Sequence, residues 1–147
     1  MPNRQTLPTT WLLTDRRIEA SLWEAIEHVP GGGGVVLRHH GSDLALGKRV
    51  AAVCVRRGLW LAVAGDVAFA HQLGAAMVHN PDGEADGLLV SRSVHGASEA
   101  RAARTADLVF VSPLFASTSH PGARRSAWWR RLNWRAKRVF RQSRWAG

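Results

Sequence analysis

The sequence predicts a parallel α/β fold, either an open doubly wound sheet or a (β/α)-barrel, and three observations carry that expectation. Strand-like and helix-like segments alternate from Trp11 to Ser112. The strand-like segments are nearly unbroken apolar runs, as parallel strands covered on both faces require. Polar residues of chemical use collect directly after those runs, where the loops of either fold converge on a site.

The elements follow in order. WLLTD (residues 11–15) is a short apolar run closed by a polar pair. From Ile18 to Val29 the apolar residues Ile18, Leu22, Ala25, Ile26 and Val29 share one helix face. Gly31 to Gly34 break that helix; they lack a phosphate-loop pattern and precede a strand, so they are a turn. VVLR (35–38) is the next strand, and Leu44 to Arg57 a helix stopped by Gly58. LWLAVA (59–64) is strand, Asp66 to Leu73 a short helix ended by Gly74, and AAMVH (75–79) strand. A polar loop, NPDGEADG (80–87), leads into the strand LLVSRS. Ser98 to Thr105 is helix, capped near Gly96 or Ser98, and DLVFVS (107–112) is strand.

Composition narrows the class. With 147 residues, 46% of them apolar, the chain suits one domain with a real core. A single cysteine, Cys54, excludes an internal disulfide; in the run AAVCV it reads as a buried thiol. No apolar run reaches the roughly 18–20 residues that span a bilayer, and the polar start MPNRQTLPTT lacks a secretory core, so a cytoplasmic location is expected. The formal charge of +9 suggests nucleic acid or membrane until its distribution is read. Residues 1–123 carry 11 basic and 11 acidic side chains, whereas residues 124–147 carry nine basic ones and no acidic one. Four of the seven tryptophans, Trp128, Trp129, Trp134 and Trp145, lie in that same last segment. No specific nucleic acid is therefore expected for the body.

Five pieces of the body, in order from about Leu12 to Gly122, resemble the thiamine phosphate synthase and thiazole tautomerase (TenI) superfamily. WLLTDRR is similar to its first strand, which ends in Thr-Asp. VVLRHH stands where the family has Gln-Leu-Arg-Glu-Lys. AGDVAFAHQLGAAMVH resembles its Asn-Asp motif, helix and following strand. SRSVHGASEA resembles its Ser-x-His segment, and ADLVFVSPLFASTSHPGA its pyrophosphate loop. The resemblance implies a TIM barrel. It also implies joining of a hydroxymethylpyrimidine pyrophosphate to a thiazole phosphate with release of pyrophosphate. Such chemistry builds a cation beside a highly charged leaving group, so neutralising and positioning that group does most of the work.

Residue by residue, the resemblance implies that Arg38 binds pyrophosphate, a role its fork suits. Ser93 supplies a phosphate-side hydroxyl, and Ser117 and Ser119 those of the pyrophosphate loop. Asp66 is the implied Mg²⁺ ligand, with Glu84 as the second carboxylate and Asp82 a neighbouring candidate. His40 and His120 replace two family lysines, Val36 replaces the Gln, and Gly65 the Asn. A histidine carries a full charge only below about pH 6.5 unless its site raises the pKa. These replacements imply a diverged branch with weakened or altered activity. His95 carries the alternative: RSVHGASEA resembles the tautomerase branch, in which a histidine at this place moves a proton on the thiazole ring. Arg38, His95 and His120 are thus the catalytic candidates.

Each candidate has a plainer role beside it. Asp66 suits a helix N-cap, Arg38 a surface cation, Ser93 and His95 local backbone satisfaction. His79 reads as a structural residue at a strand end.

Residues 124–147, ARRSAWWRRLNWRAKRVFRQSRWAG from Ala123, are a separate segment. Trp129, Leu132, Ala136, Val139 and Phe140 share one face of a basic amphipathic helix. Such a helix would cap the open side of a partial barrel, or bind an anionic membrane or nucleic acid as a non-catalytic module. A third reading, and the favoured one, is translation of a shifted frame in GC-rich DNA, which is rich in Arg and Trp. A whole barrel takes roughly 200–250 residues, and about five β-α units fit before Gly122. The expectation is a barrel truncated there, its strands 1 and 5 left with open edges and prone to self-association.

Overall fold

A computed structural model describes residues 7–38 and 43–112, and the backbone alone of 139–141. The chain divides into two compact units, Met1–Val90 and Ser91–Gly147.

The first unit holds β1 (Trp11–Leu13), β2 (Gly34–Leu37), β3 (Trp60–Ala64) and β4 (Met77–His79), each parallel to the next. The intervening helices are α1 (Leu22–Glu27), α2 (Leu44–Arg57) and α3 (Val67–Gln72). This is the repeating β-α order that the apolar runs predict. Val35, Leu37, Leu61 and Val63 of the sheet join Leu22 and Ile26 of α1, Val50 and Cys54 of α2, and Phe69 and Ala70 of α3 in one buried cluster. α2 packs against α3 and its end at Gly47, where an added Cβ would stand 2.8 Å from Cζ of Phe69 and 2.9 Å from Cδ1 of Leu73. A larger side chain there would force the two helices apart.

α2 has the bounds its sequence predicts, because both ends are chemically marked. The Asp43 carboxylate accepts from the Leu46 N–H at 3.1 Å, and Gly58 leaves the helix at φ +64°, a backbone state glycine adopts without strain. Arg57 in the last turn donates to the carbonyls of Ile26 and Val29 and so satisfies the end of α1. The first predicted helix differs. Its early part, Arg16–Ser21, is a 3-10 turn, and only Leu22–Glu27 is α-helical. Asp15 is the cause. Its carboxylate takes the Arg17 N–H and its carbonyl takes the Ile18 N–H at 3.0 Å, an i to i+3 bond that tightens the start. Leu22, Ile26 and Val29 still face inward, as their spacing requires.

Cys54 is 2% exposed, and burial pushes its thiol up to about 11. The folded state therefore holds this proton more tightly than the unfolded chain. Stability should fall as pH rises past the ordinary thiol range near 9 and level off above about 11. A thiol reagent at mildly alkaline pH should leave the native chain unmodified and label one equivalent on denaturation; rapid labelling of the native chain would refute this burial.

The second unit takes most of β5 (Leu89–Val94), then α4 (Ala97–Ala102), β6 (Leu108–Val111) and β7 (Val139–Arg141). β5 pairs with β6 in parallel, Ser93 beside Phe110, and β6 pairs with β7 in parallel, Val109 beside Val139. These pairings correct two expectations. Val139 and Phe140 belong to a strand and not to an amphipathic helix, and strand 5, expected to have an open edge, is paired with β6, as β6 is with β7. The physical reason is common to both. β6 presents backbone donors and acceptors that need partners, and a β-branched residue followed by an aromatic one suits that edge. Within the described residues β1 keeps one neighbour, β2. Trp129, Leu132 and Ala136 lie outside the described residues.

Candidate functional site

Four strand ends meet along the carboxyl edge of the first unit's parallel sheet. β1 ends into Thr14 and Asp15, β2 into Arg38, β3 into Gly65 and Asp66, and β4 at His79. Parallel pairing puts them on one edge, and the register of Leu37 beside Val63 sets Arg38 next to the end of β3.

Arg38 is the most constrained of the predicted residues. Its backbone N–H donates to the Thr14 hydroxyl and its Nε to the Thr14 carbonyl, both at 2.9 Å. Nη2 stands 3.8 Å from the Asp15 carboxylate, and the side chain is 34% exposed. Among the described residues the terminal amino groups of the fork reach no acceptor at hydrogen-bond distance. Asp15 is already engaged by the second cation, Arg17, through Nε at 3.1 Å and Nη2 at 2.9 Å. Those hydrogen bonds hold the Asp15 carboxyl well below the usual carboxylate range. Two guanidinium groups thus share one carboxylate. Burial pulls the Arg38 guanidinium below its ordinary pKa, Asp15 partly restores it, and Arg17 pulls it down again. An anion arriving at the fork would favour the charged guanidinium and so offset both effects.

Asp66 occupies the N-cap of α3. One carboxylate oxygen accepts from the Phe69 N–H at 2.8 Å, and the residue is exposed. The plain reading of Asp66 is therefore correct as to the cap. His79 is 2% exposed at the end of β4, and the neighbouring Asn80 amide lies 3.2 Å from its Nε2. Glu84 and Asp82 are exposed in the loop after β4. Among the described residues no three His, Cys, Asp or Glu side chains gather as metal ligands. Mg²⁺ asks for less, one or two carboxylates with phosphate oxygens. Asp66 fits as a single ligand through the oxygen its cap does not use.

In the second unit Ser93 is half-buried on β5, and His95 follows that strand directly. His95 has a partner to which the pattern of polar strand ends does not point. Oε2 of Glu99 accepts from the His95 backbone N–H at 2.8 Å and lies 3.1 Å from the ring Nδ1. The two bonds from His95 hold the Glu99 carboxyl below its ordinary pKa. The contact is present at neutral pH and is lost as pH falls through that lowered value. His95 and Glu99 are four residues apart across the start of α4, a spacing visible in the sequence. Thr14 and Asp15 also stood in the sequence, as the polar end of the first strand, without their function as holders of Arg38. His40, Ser117, Ser119 and His120 lie outside the described residues.

The fold so described is similar to a solved structure, the thiamine phosphate pyrophosphorylase from Pyrococcus furiosus. The identity is 23% and the TM-score 0.62, over 76% of this chain and 63% of that one. This likeness shows the fold, an α/β chain of the (β/α)-barrel type, and this chain spans somewhat under two thirds of that structure's length. No protein-family model matches the chain. No curated protein matches it. Among the described residues no helix is long and apolar enough to cross a membrane.

Proposed function

We propose that this chain handles a phosphorylated small molecule at the carboxyl edge of its strands, in the manner of a thiamine phosphate synthase. The reaction is the joining of a hydroxymethylpyrimidine pyrophosphate to a thiazole phosphate with release of pyrophosphate. The observation that carries the proposal is Arg38, a half-buried guanidinium held by Thr14, whose terminal donors make no hydrogen bond to protein among the described residues and face only the Asp15 carboxylate at 3.8 Å. A fork pinned at its Nε has little rotamer freedom left to lose when a phosphate binds. Its charge, with that of Arg17, opposes the negative charge that grows as pyrophosphate departs. Asp66 would hold Mg²⁺, which when bound neutralises phosphate oxygens of the leaving group. In the second unit, Ser93 stands where the resemblance implies a phosphate-side hydroxyl, and Ser117, Ser119 and His120 where it implies the pyrophosphate loop. The fold shared with the Pyrococcus thiamine phosphate pyrophosphorylase supports the reading.

A second reading, isomerisation of a thiazole carboxylate by His95, is favoured by the His95–Glu99 contact. A third function, binding of anionic membrane or nucleic acid by residues 124–147, falls on residues beyond those described, apart from β7.

One experiment separates the three. Purified chain is supplied with both phosphorylated substrates and Mg²⁺, and pyrophosphate release is followed. Release supports the synthase. Absence of release with His95-dependent isomerisation of the carboxylate supports the tautomerase. Absence of both, with salt-sensitive binding to DNA or anionic vesicles that needs residues 124–147, supports the third.

A further inference from the structure

We propose that Glu99 is a positioning residue for His95, holding its imidazole as the Nδ1–H tautomer so that Nε2 is the nitrogen that exchanges a proton with substrate. The inference rests on the reading of His95 as a proton carrier and adds what orients it. An ionised carboxylate has no hydrogen to give, so a close contact between Oε2 and Nδ1 requires that Nδ1 be the donor. The distance is 3.1 Å. In a neutral ring one nitrogen donates and the other accepts, so fixing the proton on Nδ1 frees the Nε2 lone pair. Oε2 is itself anchored, since it also accepts the His95 backbone N–H at 2.8 Å. Backbone and ring are thus tied to one oxygen, which limits rotation of the imidazole about both side-chain torsions. Once Nε2 has taken a proton, the same carboxylate faces an imidazolium and stabilises it.

The competing account is that Glu99 merely closes the start of α4. Gly96, its cap residue, offers no side chain, and a third-position Glu bonding back to the preceding backbone is a familiar way to begin a helix. That account concerns the backbone bond alone and assigns the ring contact no consequence.

The test is the ¹⁵N spectrum of the histidine rings at about pH 8, where an ordinary imidazole is neutral, with His95 identified by its loss in His95→Ala. The expected result is a protonated Nδ1 and a bare Nε2 in the natural chain. Glu99→Ala should return His95 to a mixture rich in Nε2–H. Glu99→Gln, which retains an acceptor for the backbone N–H and so preserves α4, should give an intermediate mixture. In the isomerisation assay Glu99→Ala should lower kcat roughly tenfold with KM little changed, a fraction of what general acid–base catalysis contributes. A His95 ring that is Nε2–H in the natural chain, or a tautomer unaltered in both variants, overturns the assignment of Glu99. A Glu99-dependent tautomer together with isomerisation undiminished in His95→Ala overturns instead the reading of His95 on which the inference rests.

Discussion

Arg38→Ala is expected to lower pyrophosphate release by about a hundredfold or more, the usual loss when one preorganised donor to a developing anion is removed. Arg38→Lys is expected to recover little of it. The backbone part of the anchor survives either change, because the Thr14 hydroxyl receives the residue 38 N–H. The side-chain part does not, because the Nε bond to the Thr14 carbonyl belongs to the guanidinium. Lysine retains the charge but has neither the Nε donor nor the planar fork, so its ammonium would hydrate or turn toward Asp15. The stability effect should be small, about 1 kcal/mol for one hydrogen bond. A thermal melt near that of the natural chain would therefore accompany the loss of turnover. Steady-state kinetics of pyrophosphate release in the three proteins, with melts alongside, check this. If Arg38→Ala turns over within a few-fold of the natural chain, Arg38 is a surface cation and the phosphate reading fails.

The residues involved also explain what could be read from the sequence and what could not. α2 has the expected bounds because its end signal is local, the Gly58 that stops it, while the Asp43 cap at its start came to light only in the structure. The β-α order was legible because parallel strands buried on both faces leave long apolar runs. The 3-10 turn after Asp15 was not. Its cause is the Asp15 cap, whose carboxylate takes the Arg17 N–H while its carbonyl takes that of Ile18, and the apolar spacing from Ile18 to Val29 is blind to that. β7 was hidden for a related reason. Val139 and Phe140 satisfy a helix pattern, and what places them in a strand is the unpaired edge of β6, some thirty residues earlier. At the site, residue types located Arg38, Asp66, Ser93 and His95 at strand ends. Their partners differ in how far along the chain they lie. Thr14 reaches Arg38 across 24 positions, a pairing that only the fold creates. Glu99 is one helical turn from His95, so local spacing alone brings it within reach.

Asp66 carries the remaining test, because its two roles can be pulled apart by a single atom. The carboxylate caps α3 through one oxygen and is proposed to hold Mg²⁺ through the other. Asparagine is as good an N-cap as aspartate, while alanine gives up the cap at about 1 kcal/mol. Asp66→Asn should therefore melt with the natural chain and Asp66→Ala measurably below it. Turnover should divide the variants differently. A neutral amide is a far weaker ligand for a hard divalent cation than a carboxylate. Both variants should then require Mg²⁺ at concentrations raised by about ten- to a hundredfold, the range seen when a metal site loses support. Titration of pyrophosphate release with Mg²⁺, set beside the melts, reads both quantities. Equal Mg²⁺ dependence in the natural chain and Asp66→Asn would leave Asp66 a cap alone. The metal role would then pass to the loop carboxylates Asp82 and Glu84, which a matching pair of substitutions would test in the same titration.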